Sequence, residues 1–361
     1  MSEPGLDFAA LLPHVQVFGG VRRFLELGNA LVQRGHRFAL YHPDGARPEW
    51  FPFAGEVRPL ADIEARQHMV LLTASPSLIE PFARAAARLK LFYCVHKNLP
   101  GHEIARNRSW TLLANSSALQ RRLWRRYRAR AEDAIGGVNL DTFRPATIPR
   151  TPEPPIRILV YGRLVRPGKG SLLAVRAVES FAAASSRRWP AWAGSVAHPV
   201  KLVLFDHAVQ GDIPDPRTHF DSTVPYEFHW NLPQDELSRL YASCDILVAA
   251  ERRAGWSNTV AEAMACGVPV VCTPAGTQDF AMHGETALVV RWRHPYMFRR
   301  ALQTLWRDPA RRQQLRRNAL TRVREFAWER VADKIEIIAR TRLGHDAPPA
   351  ATPLTDFVPK R

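Results

Sequence analysis

The sequence is poor in cysteine and lacks the spacings that cysteine-based sites require. Its 361 residues contain four cysteines, with no C-x-x-C pair and no paired histidines beside them: Cys94, Cys244, Cys266 and Cys272. A zinc site or a disulfide framework depends on such patterns. Because each cysteine lies in or beside an apolar run, we predict buried free thiols.

Long apolar runs are also missing. No window of about 20 residues is free of charge, so the sequence predicts no transmembrane helix. The first residues, MSEPGLDFAALLPHVQ, contain neither a basic n-region nor a cleavage site, so we expect no signal peptide and a cytoplasmic location. The length is sufficient for two domains that each bury a core of their own.

Acidic residues are too few to balance the basic ones. The sequence has 34 Asp and Glu against 50 Lys and Arg, a formal net charge of +16, and its arginines cluster at RRLWRRYRAR (121–130) and RRQQLRR (311–317). This excess predicts an anionic partner or surface. No zinc-finger, RRM-like or helix-turn-helix signature accompanies the charge, so we expect no nucleic-acid partner.

The first arginine cluster has the pattern of a basic amphipathic helix. Leu119, Leu123 and Tyr127 recur every four residues with Trp124 alongside, and arginines fill most other positions. Such a helix suits docking on an anionic membrane surface. An ordinary surface helix of an arginine-rich protein explains the pattern equally well.

Strand-length apolar runs alternate with helical patterns along the whole chain. The runs are HRFALYHP (36–43), MVLLTA (69–74), LKLFYCV (89–95), TLLANS (111–116), IRILVYGR (156–163), VKLVLFD (200–206), YEFHW (226–230), CDILVAA (244–250) and VPVVCT (268–273). Strands that alternate with helices form parallel sheets, which predicts an α/β fold.

Proline-rich and polar segments divide the chain. The stretch RPATIPRTPEPP (144–155) has five prolines in twelve residues, which excludes a helix or a central strand. We therefore predict one domain over 1–150 and a second over 151–325. The segment 185–199 is predicted to be a surface excursion, and the tail 346–361 is predicted to be disordered.

Two glycine-bearing junctions between strand and helix could bind an anion. In FGGVRRFLELGNALVQRGH (18–36), Gly19 and Gly20 precede an amphipathic helix whose free amides favour negative charge, although a plain tight turn explains them as often. In YGRLVRPGKG (161–170), Arg163 and Lys169 flank a Pro-Gly turn. Together they would neutralise a diphosphate, and the alternative is two solvated surface cations.

The stretch AGWSNTVAEAMACGVPVVCT (254–273) is predicted to be a loop, a short helix from about Thr259 to Gly267, and a strand. The loop follows a predicted central strand, at the sheet edge where α/β proteins bind ligands. Amides around Asn258 and Thr259 would face phosphate oxygens. Glu262 either closes a capping box with Thr259 or accepts hydrogen bonds from a ribose diol.

Together with IGGVNLDTFRP (135–145), HGETALVV (283–290) and FAWERVADKIEII (326–338), these motifs resemble retaining glycosyltransferases of the GT-B fold, the large family-four or group 1 class. They run in family order from about residue 18 to 340. The resemblance implies two facing Rossmann-like domains with parallel sheets and a nucleotide-sugar donor in the cleft between them. It also implies a C-terminal helix over 326–345 that returns to the N-terminal domain.

The resemblance implies roles for individual residues. Arg163 and Lys169 match the diphosphate-binding pair, and Glu262 matches the second glutamate of an E-x7-E motif, which holds the ribose. His96, with His102 as second choice, is expected near the donor sugar. The residues expected to bind the donor are Gly19, Gly20, Gly162, Gly255, Trp256, Ser257, Asn258, Thr259 and Glu262; those expected to be catalytic are Arg163, Lys169 and His96.

One position departs from the family pattern. The first glutamate of E-x7-E, which contacts the donor sugar in the family, would fall at Ala254. Glu251 lies three residues upstream and would substitute only in a rearranged loop. The departure leaves open the donor sugar and even activity itself, so a non-catalytic sugar-nucleotide-binding protein is one alternative. A sugar-nucleotide epimerase of similar fold is the other.

The expected chemistry is transfer of a sugar to a hydroxyl acceptor with retention at the anomeric carbon. Cations and helix-end amides would stabilise the charge that develops on the leaving diphosphate. No D-x-D motif follows a strand, so we expect no metal and no other cofactor. The basic helix favours a glycan or lipid-linked acceptor at an anionic membrane, whereas the nucleobase, the sugar and the oligomeric state are not predicted.

Overall fold

The computed structural model describes residues 4–96, 98–147, 155–186, 199–208 and 215–344. Most of the proline-rich stretch 144–155, most of the segment 185–199 and the whole tail 346–361 lie outside these residues. The domain boundary at residue 150 and the character of the tail therefore stay predictions.

The N-terminal half forms a seven-stranded sheet in the order β3-β2-β1-β4-β5-β6-β7. Its strands are β1 (Asp7–Leu11), β2 (Arg37–His42), β3 (Glu56–Pro59), β4 (His68–Thr73), β5 (Ala87–Cys94), β6 (Thr111–Ala114) and β7 (Glu132–Asp133). Every pairing in this sheet is parallel, and β1, an interior strand, pairs with both β2 and β4.

The second half forms a six-stranded parallel sheet in the order β10-β9-β8-β11-β12-β13. Its strands are β8 (Ile156–Tyr161), β9 (Val200–Asp206), β10 (Tyr226–Trp230), β11 (Ile246–Ala249), β12 (Val270–Cys272) and β13 (Leu288–Val289). The two parallel sheets confirm the predicted α/β fold with two Rossmann-like halves. The strand predicted to be central, β11, lies between β8 and β12.

Ten α-helices connect and cover the strands in the described part of the chain. They are α1 (Gly19–Gln33), α2 (Ile79–Arg84), α3 (His102–Arg106), α4 (Ser117–Tyr127), α5 (Ser171–Ser186), α6 (Gln234–Ala242), α7 (Asn258–Ala265), α8 (Pro295–Arg307), α9 (Pro309–Val323) and α10 (Trp328–Leu343). The paired glycines predicted to precede the first helix instead form its first turn, with Phe18 at the N-cap.

The basic helix α4 is present where its pattern predicts it, and it begins at a Ser116 cap whose hydroxyl accepts the Leu119 amide. The side chains of Leu119 and Leu123 are buried against the sheet. Its apolar face is therefore used by the protein's own core, and the arginines with Trp124 form the outer face.

The C-terminal helix α10 belongs to the core of the first sheet. Before it, the Phe326 carbonyl accepts the amides of Gly137 and Val138 at 2.8 and 3.1 Å, and the Trp328 amide donates to the Val138 carbonyl at 3.1 Å. Trp328 and the following buried residues of α10 share one apolar cluster with α1 and the first sheet. The chain thus crosses from the second half back to the first.

The four cysteines are free and buried, as predicted. Burial raises the pKa of each thiol to about 12, so all four are protonated at neutral pH and chemically quiet. Within the described residues, no helix is both long and apolar enough to cross a membrane.

The packing of α10 can be tested with two isoleucines on the same helix. Ile335 is fully buried in the first core, whereas Ile337 is 40% exposed two residues later. Ile335→Ala should lower the free energy of unfolding by about 2–5 kcal/mol, because it leaves a cavity. Ile337→Ala should change it by less than about 1 kcal/mol. Urea unfolding of both variants measures the difference, and equal effects would contradict this packing.

Candidate functional site

The carboxyl ends of the two parallel sheets face each other across a cleft. A Cβ atom on Gly255, in the loop after β11, would lie 2.5 Å from the carbonyl oxygen of Val95, which follows β5. A Cβ atom on Gly19 would lie 3.4 Å from the Asn258 side-chain amide. Glycine is required at position 255 because the two halves approach so closely there.

Arg163 is a buried member of this edge and not a solvated surface cation. It follows β8, and its Nε donates to Asp206 Oδ1 at 2.7 Å while Nη2 donates to the His207 carbonyl at 2.9 Å. Only 4% of Arg163 is exposed. Asp206 ends β9, so two adjacent strands place this ion pair.

Lys169 and Arg163 lie beside the same aromatic ring. The Lys169 ammonium donates to Glu251 Oε1 at 2.5 Å, and both cations lie 5.6 Å from the ring centroid of Tyr161. Gly170 holds this turn at φ +73°, and a Cβ there would lie 1.9 Å from the Ala250 carbonyl oxygen. The turn after β8 is therefore locked against the loop after β11.

The pKa of His207, which follows β9, is shifted by burial and by the charges at this edge. Its pKa is lowered to about 4, mainly by burial and in addition by Arg163, Arg22 and Lys169. Its imidazole is therefore neutral at physiological pH. Three cations from three separate segments thus lie close enough to His207 to disfavour its charged form.

Glu262 has partners that the sequence analysis did not anticipate. Its Oε1 accepts from Arg22 Nη1 at 2.7 Å, its Oε2 accepts from the Tyr241 hydroxyl at 3.1 Å, and it is 5% exposed. The capping-box interpretation is wrong: α7 begins at Asn258 with Ser257 as its cap, and no side chain of the described residues caps that end. The carboxylate points towards α1 and α6 instead of back along its own helix.

Arg22 and Glu26 are site residues that the sequence analysis missed. Arg22 Nε lies 3.4 Å from Glu26 Oε1, and Glu26 Oε2 accepts from Asn139 Nδ2 at 2.9 Å. Glu26 is buried in α1 among apolar side chains. The signal was present in the sequence, because opposite charges four residues apart on the buried face of an amphipathic helix need a buried partner.

The loop that opens α7 is held by its backbone. The Ser257 amide donates to the Gly276 carbonyl at 2.9 Å. The Trp256 ring packs against Phe280 and Phe326, with centroids 4.7 and 5.5 Å away. Trp256, expected at the donor, therefore has its side chain in the apolar core, and the loop offers backbone amides at the start of α7.

Gly162 has a packing reason to be glycine. Its amide donates to the Phe205 carbonyl at 2.8 Å, and a Cβ there would lie 2.6 Å from the Phe228 ring. No larger residue fits between β8 and its neighbours at this point. Its place beside Arg163 brings it to the predicted edge, with only its backbone facing the cleft.

The two candidate histidines of the N-terminal half, His96 and His102, lie in different places. A Cβ on Gly20 would lie 3.9 Å from His96 Cε1, so His96 stands beside the first-loop glycines. Burial lowers the pKa of His96, which leaves its imidazole neutral at pH 7. His102 opens α3 and packs edge-on against Tyr127 at 6.0 Å. Of the two, His96 is the one at the cleft.

The acid that pairs with Lys169 is Glu251, which lies three residues before Ala254, the motif position that lacks its glutamate. It comes two residues after β11 ends, it is buried, and its Oε2 has no hydrogen-bond partner among the described residues. Ala254 packs against Gly276, whose Cβ position lies 2.7 Å from the Ala254 methyl group. In the described part of the chain, no group of three or more His, Cys, Asp or Glu side chains could hold a metal ion.

Sequence comparison matches the second half of the chain to a known family. Residues 155–308 match the family model of glycosyl transferases group 1. The D-inositol 3-phosphate glycosyltransferase of Paenarthrobacter aurescens (strain TC1) is 34% identical over 98 residues, which is 27% of this chain and 24% of that one. The matched region thus spans about a quarter of this curated relative's length.

Solved structures resemble the chain over nearly its whole length. A glycosyltransferase from Rickettsia africae ESF-5 covers 95% of this chain and 100% of its own, with a TM-score of 0.70 and 16% identity. Anabaena HepE, crystallised with UDP-glucose, covers 93% of this chain and 100% of its own, with a TM-score of 0.70 and 14% identity. At these identities the likeness concerns the fold.

The family match lies over the second sheet, where Arg163, Lys169 and Glu262 converge, and the structural likeness extends over both sheets and α10. Both agree with the resemblance that the motifs carry. This chain therefore has the GT-B fold, and its residues 155–308 match the glycosyl transferases group 1 family.

Proposed function

We propose that the protein is a retaining glycosyltransferase that moves a sugar from a nucleotide-diphosphate donor to a hydroxyl acceptor. The observation that carries the proposal is that two cations, the buried Arg163 and Lys169, lie beside the Tyr161 ring at the carboxyl edge of the second sheet. A diphosphate leaving group is the charge that such a site stabilises best. A protein of the same fold, HepE, has been crystallised with UDP-glucose.

The donor would lie across the carboxyl edge of the second sheet. Its diphosphate would meet Arg163, Lys169 and the first amides of α7, and its ribose diol would meet Glu262. Its sugar would then point across the cleft towards His96 and the Gly19–Gly20 turn. The relatives named above are glycosyltransferases, which favours transfer over epimerisation or mere binding.

In the proposed reaction the bond between the anomeric carbon and the diphosphate oxygen breaks, and negative charge grows on that oxygen. The acceptor hydroxyl attacks from the same face and gives its proton to the departing diphosphate. Arg163 and Lys169 would stabilise the developing charge, which requires no metal. Neutral His96 would hold a hydroxyl by a hydrogen bond on the opposite wall.

We further propose a lipid-linked acceptor and a cytoplasmic protein that associates peripherally with an anionic membrane face. The support comes from the outer face of α4. Trp124 is 44% exposed there, and the guanidinium groups of Arg128 and Arg130 lie 5.6 and 5.8 Å from its ring centroid. Because the leucines of α4 are buried, docking would rely on arginines and one interfacial tryptophan.

Donor binding can be tested with UDP-, GDP-, TDP- and ADP-sugars and isothermal titration calorimetry. One donor should bind to the wild type, and Glu262→Gln should weaken it about tenfold or more, because a charged hydrogen bond to the ribose is lost. The exposed Glu285 provides a control, and Glu285→Gln should bind normally. Failure of the wild type to bind any of the four would contradict the proposed function.

The leaving-group role of Lys169 predicts a kinetic effect larger than a binding effect. Lys169→Met should lower kcat by about a hundredfold with a small change in KM, since one preorganised charge contact is removed from the transition state. Lys201 is the matched control, because it also pairs with a carboxylate, Glu227, but lies at the start of β9. A loss below about threefold for Lys169→Met would refute the assignment.

Membrane docking predicts loss of vesicle binding when charge is removed from α4. Replacement of three exposed arginines in α4 and just after its end by alanine should weaken binding to phosphatidylglycerol-containing vesicles about a hundredfold, since each contributes about 1 kcal/mol. The three are Arg125, Arg128 and Arg130. A control variant removes the same charge from α9 and the turn after it, at Arg311, Arg317 and Arg324. Equal losses in co-sedimentation would show that net charge alone is responsible.

A further inference from the structure

We propose that Arg22 is a positioning residue of the donor site, which reaches across the cleft and holds the Glu262 carboxylate ready for the ribose diol. The inference rests on the proposed function, which places the ribose at Glu262. It adds a residue from the opposite half of the molecule, α1, to a site otherwise built from the second sheet.

Two hydrogen bonds orient the Glu262 carboxylate, but they do not use all of its acceptor positions. One carboxylate oxygen accepts from Arg22 Nη1 at 2.7 Å and the other accepts from the Tyr241 hydroxyl at 3.1 Å. An ionised carboxylate offers about four lone-pair positions. Two acceptor positions therefore remain, one for each hydroxyl of a ribose diol.

Arg22 is itself held in place. Its guanidinium lies 5.1 Å from the Phe143 ring centroid, and its Nε lies 3.4 Å from Glu26 Oε1. Glu26 is anchored in turn by Asn139 Nδ2 at 2.9 Å. Because the Arg22 side chain is already held on three sides, it can fix the orientation of the Glu262 carboxylate at little further cost in side-chain entropy.

Arg22 also supplies the opposite charge beside a buried carboxylate. At 5% exposure Glu262 has little contact with water, and loss of one partner of a buried ion pair is costly. Although burial opposes the charge on Arg22, Glu262 and Glu26 raise the pKa of Arg22 above its usual value. The pair therefore needs both members in place.

Because Arg22 and Glu262 belong to different halves, their contact exists only when the cleft has this arrangement. Movement of α1 away from α7 would separate the pair and leave Glu262 with Tyr241 alone. Ribose affinity would then depend on how the two halves are arranged, through one ion pair.

The adjacent arginine offers a matched control. Arg23 is also buried, but its Nη1 donates to the Tyr93 hydroxyl at 2.9 Å and the Gly136 carbonyl at 2.8 Å, both in the first half. Arg23→Gln should lower the melting temperature without changing ribose recognition. The two substitutions remove the same group one position apart on the same helix.

The test uses the nucleoside diphosphate whose sugar binds in the panel above, taken as UDP, and compares it with its 2′,3′-dideoxy form by calorimetry for the wild type, Arg22→Gln, Glu262→Gln and the double variant. Arg22→Gln should weaken UDP about tenfold and leave the dideoxy nucleotide unchanged. The double variant should bind UDP no more weakly than Glu262→Gln, because both changes act on one contact. Arg22→Lys should restore part of the loss, and it serves if Arg22→Gln does not fold.

Three outcomes would overturn the inference. Equal losses for both nucleotides would place Arg22 on the phosphates, additive losses in the double variant would exclude action through Glu262, and unchanged UDP binding in Arg22→Gln would remove any role. A different result would contradict the proposed function itself. If the wild type binds neither nucleotide, or binds both equally, the ribose is not bound at Glu262. The proposed donor site and the inference about Arg22 would then both be wrong.

Discussion

The chemistry of this protein depends on one constraint, which is that all strands of a parallel sheet end at the same edge. Arg163, Asp206 and Glu251 are far apart in the chain, yet they come together because each lies at or just beyond the carboxyl end of β8, β9 or β11. The first sheet places His96 after β5 in the same way. Since α10 joins the core of the first sheet, the two edges are held facing each other.

The cations of the cleft are paired with carboxylates in advance. Arg163 binds Asp206, Lys169 binds Glu251 and Arg22 binds Glu262. Buried pairs of this kind contribute little net stability, but loss of one partner is costly because the other charge is left without compensation. Their value is therefore orientation, since charges that are already fixed need no reorganisation when a leaving group becomes negative.

Most strands and the long helices could be predicted from local pattern, and the exceptions have physical causes. The central strand β1, DFAAL, is rich in Ala and Leu, which have no preference for strands. The edge strand β3, EVRP, is polar and ends in proline, while β7 and β13 have two residues each. These segments become strands because a neighbour offers hydrogen bonds, which a local pattern does not contain.

The sequence by itself determined the parts of the site that lie within one loop or one turn. Arg163 and Lys169 flank a single turn, and Ser257 to Glu262 open a single helix, so spacing and the end of a strand suffice to place them. The tertiary structure decided the partners. Arg22 meets Glu262 across 240 residues, and Glu251 pairs with Lys169 across 82 residues. The first contact follows from how the two sheets pack and the second from the alignment of β8 with β11, and neither is visible as a periodicity along the chain.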